Sequence, residues 1–452
     1  MATIPRRRVL TVWDLIFYGI VLIEPIAPVP LYGVAEKLSN GHFVTTILIA
    51  MLAMMATAFS YGRMAALYPA AGSAYTYVGK GLNPYLGFLA GWAMFLDYLL
   101  IPLITIVWIA TAIHSRYAPQ VPYVVIAACV AGLMTFLNLR GIKTSARTNK
   151  LLLTFMCLVI GAFIVMAVRY LFGWQGWGGI FSIEPFYNPK TFDFRTIRTA
   201  TSFAALTYIG FDGVTTLAED VENPKRNVLI ATVAVCAFTG VFGGLEAYLA
   251  QRVWPDWHSF RNLETAFMDV CMRAGGVALF QVMGAVLLIS QFGSGLNGHL
   301  GAAKLLFGMG RDNVLPRKIF AHLDERNTPT FNLWIISIVA FCGALVLDFE
   351  KSGELINFGA FLAFMGVNMA ALWQFTVIGQ QGRKRQLLAD TFVPTVGFLF
   401  CAWIWWGLEI AAKTIGGVWF VLGLLYLAGS TRGFRSPPTT IDMGDIQTDT
   451  VR

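Results

Sequence analysis

Twelve runs of apolar residues separated by short polar breaks account for most of this chain. They fall near 12–37, 42–66, 84–112, 121–138, 149–171, 198–221, 228–250, 275–308, 330–348, 354–378, 392–411 and 416–430. A helix needs about 20 apolar residues to cross the hydrocarbon of a bilayer. The pattern therefore predicts an all-α membrane protein with 12 transmembrane helices. The longer connections, near 172–197 and 251–274, are rich in tryptophan and predict short helices lying on the membrane surface. From residue 432 on, the chain is polar, contains Pro437-Pro438 and reads as a disordered tail. Arg6-Arg7-Arg8 resembles the charged start of a signal peptide, but no small-x-small site follows, so the first run is expected to stay as the first helix.

Two runs are interrupted in the same way. The first reads YGIVLIEPIAPVPLYG, with Pro25, Pro28 and Pro30 in its middle. Proline there removes backbone hydrogen bonds and clashes with the preceding turn. The sixth reads FAALTYIGFDGVTTLAE, where Gly210 and Gly213 bracket Asp212. The breaks lie five helices apart at similar depth. Paired broken helices in corresponding positions of two halves point to an inverted-repeat transporter and to its binding site. Unpaired backbone groups persist in a bilayer only where they line a polar cavity.

Composition agrees: 57% of the 452 residues are hydrophobic and only 13% charged, where a soluble chain would carry about a quarter. The net charge of +8 does not gather on one amphipathic face, so no nucleic-acid partner is implied. The basic residues sit in loops, about twice as many on the terminal side as on the other. They include Arg6–Arg8, then Arg140, Lys143, Arg147 and Lys150, then Arg317, Lys318 and Arg383–Arg385. That bias predicts a multi-pass protein of the bacterial inner membrane with both termini cytoplasmic. Five of the six cysteines lie in apolar runs and Cys271 in an outer loop, which gives no disulfide framework. The five histidines do not cluster with carboxylates at metal spacing. No nucleophile turn is present either, so neither an enzyme nor a metal or cofactor site is expected.

Three stretches carry a family resemblance: YPAAGSAYTYVGKGLNPYLGFLAGW (68–92), TYIGFDGVTTLAEDVENPKRNV (207–228) and LLFGMGRDNVLPRKIF (305–320). They resemble the entry to the third helix, the broken sixth helix and the loop after the eighth in the amino acid–polyamine–organocation superfamily. Through GSAYTY, LDYLLIP, GFDGVTTL and MGRDNVLP the resemblance runs to bacterial putrescine importers. It implies a LeuT-type five-plus-five inverted repeat with two additional C-terminal helices and alternating access about a midplane site. The expected organisation is a tail (1–10), a first repeat (11–172), a second repeat (173–380), helices 11 and 12 (381–431) and a second tail (432–452).

Four acids stand out deep within the apolar runs: Glu24, Asp97, Asp212 and Glu246. Each costs roughly 2.5–3.5 kcal/mol to insert, and no lysine or arginine lies at comparable depth. Such a set suits an ammonium-bearing substrate, a cation or a proton. Asp212 stands where the diamine and arginine carriers of the superfamily have an acid. It either holds the substrate ammonium or caps the half-helix starting at Gly213, whose N-terminus is positive. Glu24, after Ile23 and before Pro25, occupies the place where amino-acid members have a glycine-rich run. Prolines supply no amide to cradle a carboxylate, and an acid repels one, which favours a substrate without a carboxylate. Otherwise Glu24 is a packing residue. Asp97 and Tyr98 fall mid-way along the third helix, facing either the substrate or a neighbouring helix. Tyr208, Phe211 and Phe292 flank the breaks and either close the site by cation–π contact or pack. Ser294 and Asn297 are candidate polar liners, and His299 a packing contact. Glu219 reads as a gate residue facing Lys225 or Arg226, and Glu246 as structural or proton-accessible.

Some proton-coupled relatives carry a lysine in the fifth helix, but Phe155 and Met156 stand at that level here. A coupling proton would therefore have to ride on a buried acid, Glu24 or Asp212. The function expected is secondary transport of putrescine or a related polyamine, by symport or driven by the membrane potential. The alternative is a proton-coupled or exchange transporter of amino acids. Paired broken helices and the lack of a repeated filter sequence exclude a channel.

Overall fold

The computed structural model describes residues 10–68, 73–141, 146–218, 221–311, 314–324, 328–379 and 385–438. Helices α1 (Val12–Ile23) and α2 (Pro28–Leu38) form the first span, bent by 58° at the break between them. There follow α3 (Phe43–Leu67), α4 (Ser73–Gly81), α5 (Pro84–Ala112), α6 (Tyr123–Leu139), α7 (Ala146–Gln175) and the short α8 (Trp177–Ile180). The second half runs α9 (Phe194–Ala204), α10 (Pro224–Val253), α11 (Ala266–Arg311), α12 (Arg317–Phe320), α13 (Thr330–Ala344), α14 (Phe349–Leu372), α15 (Val393–Gly407) and α16 (Ile410–Ser430). Among the described residues, eight helices are long and apolar enough to cross a bilayer, and α1 with α2 makes a ninth span. The shorter apolar α6 and α13, and the broken segment that starts with α9, complete the twelve expected segments.

The helix starts follow local chemistry. Thr11 and Asp14 bond reciprocally across the first turn of α1, satisfying donors that have no partner inside the helix. Asn83 caps α5 ahead of Pro84, Asp193 caps α9, and Asp348 caps α14. Glycines then let helices approach closely, as is usual where lipid supplies no hydrophobic drive between them. A Cβ at Gly359 of α14 would lie 2.3 Å from the Ala93 carbonyl oxygen of α5, and one at Gly62 of α3 would lie 2.5 Å from Leu229 Cα of α10. Helix α5 runs through the middle, packed against α11 and α14.

One reading is corrected: Cys271 is not in a loop but buried in the first turns of α11, because that helix starts at Ala266 and kinks at Gly276 (φ 70°) instead of beginning near 275. Asn297 is exposed, whereas Ser290, on the same helix, is fully buried. His299 does pack between helices, bonded to Asn138 and to the Leu333 carbonyl at 2.9 Å each.

One buried ion pair was not foreseen. Arg63 of α3 meets Asp390, just ahead of α15, at 2.6 Å, bonds the Ala389 carbonyl, and lies 3.5 Å over the ring of Phe375. The cost of burying both charges is offset by good geometry and the added hydrogen bonds.

Candidate functional site

The two breaks meet. Helix α1 closes on the Glu24 amide, which bonds the Ile20 carbonyl at 3.0 Å, and Glu24 itself turns to φ 66°. The second break starts where α9 tightens over Ala205–Tyr208, passes Ile209 and turns left-handed at Gly210 (φ 107°) into a tight helix over Phe211–Leu217. Only glycine takes that φ without strain. A Cβ on Gly210 would lie 3.5 Å from the Leu22 carbonyl oxygen, and one on Gly213 would lie 2.6 Å from the Leu22 side chain. The end of α1, at Leu22 and Ile23, thus lies directly against Gly210 and Gly213.

Asp212 is 9% exposed at this junction and accepts a 3.1 Å hydrogen bond from Ser73 of α4. Its carboxylate is also faced by its own amide and that of Gly213, the geometry expected of an acid at a helix N-terminus. Asp97 of α5 lies within electrostatic reach, as do the hydroxyls of Tyr18, Tyr61, Tyr77 and Tyr98. Tyr18 faces Thr216, Tyr61 faces Ser73, and Tyr77 faces Thr215. Asp97 Oδ1 has no hydrogen-bond partner among the described residues. No lysine or arginine pairs with either acid among the described residues.

The structure sorts the predicted residues into separate groups. Asp212, Asp97, Tyr98, Gly210 and Gly213 come together. Glu24 stands apart from them: it accepts a hydrogen bond from Ser290 of α11 and borders a small pocket lined by Ile23, Pro25, Pro28, Thr239 and Phe242. Phe211 is buried edge-on to Tyr61, with ring centroids 5.4 Å apart, and also meets Phe364. Tyr208 is turned to α3, where its hydroxyl donates to the Ile47 carbonyl at 2.8 Å. Phe292 is partly buried and packs against a different hydrophobic cluster from the one that holds Tyr208 and Phe211. Glu246 is fully buried on α10, its oxygens without a partner and Cys157 nearby. Glu219 lies outside the described residues.

Residue reading missed the tyrosines. Tyr18, Tyr61 and Tyr77 come from three helices and look like ordinary interfacial aromatics in one dimension. Ser73 and Tyr77 were visible only as part of GSAYTY. Glu36 and Glu354 are also buried, and at the edges of their apolar runs they read as boundary residues.

An amino acid permease family model matches residues 29–428. The chain belongs to the amino acid permease family. It is a membrane transporter and not an enzyme, as its relatives agree. The permease is 31% identical to the low-affinity putrescine importer PlaP of Escherichia coli strain K12, over 95% of each chain. It is 26% identical to the branched-chain amino acid permease BcaP of Lactococcus lactis, over 94% of the permease and 95% of that chain. To the methylthioribose transporter of Bacillus subtilis it is 25% identical, over 92% of each.

Proposed function

We propose that the permease imports putrescine or a closely related polyamine across the bacterial inner membrane, with both termini cytoplasmic, by alternating access around its two abutting breaks. The observation that carries this reading is Asp212: a carboxylate at the junction of the breaks, joined by a second acid and tyrosine hydroxyls, with no lysine or arginine paired to it among the described residues. The resemblance to a putrescine importer supports the same substrate. Asp212, Asp97, Tyr98, Gly210, Phe211, Gly213, Ile23 and Glu24 form or border the site, with Tyr208 behind it. Glu24 and Asp212 are the acids that would carry a coupling proton, and Phe292 and Glu219 the gate residues. Residues 11–172 and 173–380 are the two repeats. A dication moving into a negative interior gains roughly 4.6 kcal/mol per 100 mV, twice the value for one charge.

A zwitterionic amino acid is the second reading, favoured by the likeness to amino acid permeases. Against it stand Glu24 and three prolines, where a carboxylate would need bare amides.

Purified permease in liposomes with labelled putrescine separates the two. Expected is saturable uptake, blocked by unlabelled diamines and not by neutral amino acids, and increased when the interior is made negative. Saturable uptake of a branched-chain amino acid with no putrescine entry overturns the polyamine reading and leaves the transporter family intact.

A further inference from the structure

We propose that Asp97 and Asp212 form a two-carboxylate clamp, each taking one ammonium end of a linear diamine, so that the site selects dications over monoamines of the same length. This rests on the cationic-substrate reading above.

Four observations lead there. First, both acids are more than nine-tenths buried, 7% and 9% exposed, and lie within electrostatic reach of one another. Second, their bonding differs. Asp212 is already bonded by Ser73 and faced by two amides, whereas Asp97 Oδ1 has no partner at all. A buried acceptor left unpaired is costly, and an ammonium donor would satisfy it.

Third, the backbone beside Asp97 is held close to its neighbours: a Cβ on Gly359 of α14 would lie 2.3 Å from the Ala93 carbonyl oxygen, and one on Gly301 of α11 would lie 3.5 Å from the Tyr98 ring. Fourth, Tyr98 lies within electrostatic reach of both carboxylates and of Tyr18. A chain running between the acids would therefore pass aromatic rings that suit its methylenes and attract its charged ends.

Selectivity follows from charge. Two carboxylates that no lysine or arginine pairs with among the described residues repel each other, and strongly where the effective dielectric is low. A dication offsets that repulsion at both ends. A monoamine offsets it at one end and leaves the other acid facing a methyl group.

The experiment is competition against labelled putrescine uptake in liposomes, using 1,3-diaminopropane, putrescine, cadaverine and n-butylamine, on wild type, Asp97→Asn and Asp97→Glu. Wild type is expected to favour putrescine over butylamine by roughly 10- to 100-fold, the worth of one charged hydrogen bond. Asp97→Asn is expected to bring that ratio to near one. Asp97→Glu extends the second carboxylate by one methylene, so the preferred diamine should shorten towards 1,3-diaminopropane. A purely structural role for Asp97 would lower uptake of all the amines together and leave both the ratio and the length order unchanged. An unchanged ratio in Asp97→Asn overturns the clamp, as does an unchanged length order in Asp97→Glu if the Asn variant does not fold. If wild type accepts butylamine as well as putrescine, the clamp also fails, while the cationic-substrate reading survives. Failure of that reading shows differently: no amine enters wild type at all.

Discussion

Asp212→Asn is expected to abolish putrescine uptake while the protein still folds and reconstitutes. Asparagine keeps the shape and can still accept from Ser73, so the local bonding of the break survives. What goes is the negative charge, at a place where Asp97 is the other acid within electrostatic reach among the described residues. Removing one partner of a buried, hydrogen-bonded charge pair costs about 2–5 kcal/mol, which is between about 30-fold and a few thousand-fold in affinity. Putrescine binding to detergent-solubilised protein should weaken by that factor, and uptake should fall with it. The melting temperature should change little, because the substituted group is not needed to hold the helices together. Wild-type uptake by Asp212→Asn would mean that the acid serves only as a cap for the half-helix at Gly213.

Asp390→Ala is expected to have the largest effect on stability. Arg63 is buried, with Asp390 at 2.6 Å and the Phe375 ring beneath it. Deleting the carboxylate takes the Asp390 counter-charge away from a buried guanidinium, which costs about 3–5 kcal/mol. The contact joins α3 to the start of the eleventh span, far in sequence and outside the substrate site. Thermal unfolding in detergent should shift strongly downward, and expression should drop. Any protein that does reconstitute should transport with a near-normal KM for putrescine. The double variant Arg63→Met/Asp390→Leu should recover much of the loss, since replacing a whole buried pair by apolar side chains is close to neutral. Failure of the double variant to recover would show that the pair is needed for more than local charge balance.

Much of this molecule can be read one residue at a time. Spans, breaks and loop charge depend on composition over about 20 residues, and lipid imposes that composition whatever the neighbours are. The proline run at 25–30 and the glycines at 210 and 213 marked both breaks because proline and glycine act on the backbone locally. The single acid in each break followed from the cost of burying charge, so Glu24 and Asp212 stood out before any helix was placed. Cys271 was misplaced because only backbone geometry shows that the helix starts ahead of the kink at Gly276.

Which acids share a site was decided by tertiary packing. Glu24 and Asp212 sit in adjoining breaks, yet the bend at residues 24–27 turns Glu24 to Ser290, while Asp97, from a helix between them in sequence, joins Asp212. The tyrosines around that pair come from α1, α3, α4 and α5, and no spacing along the chain links them. The helices that carry them approach closely at Gly359 and Gly62, where the absence of a side chain matters only once the facing helix is known. The sequence by itself determined that an acidic group stands in each break. Only the fold decided what that group faces, because a buried charge is set by local composition and its partner by packing across the bundle.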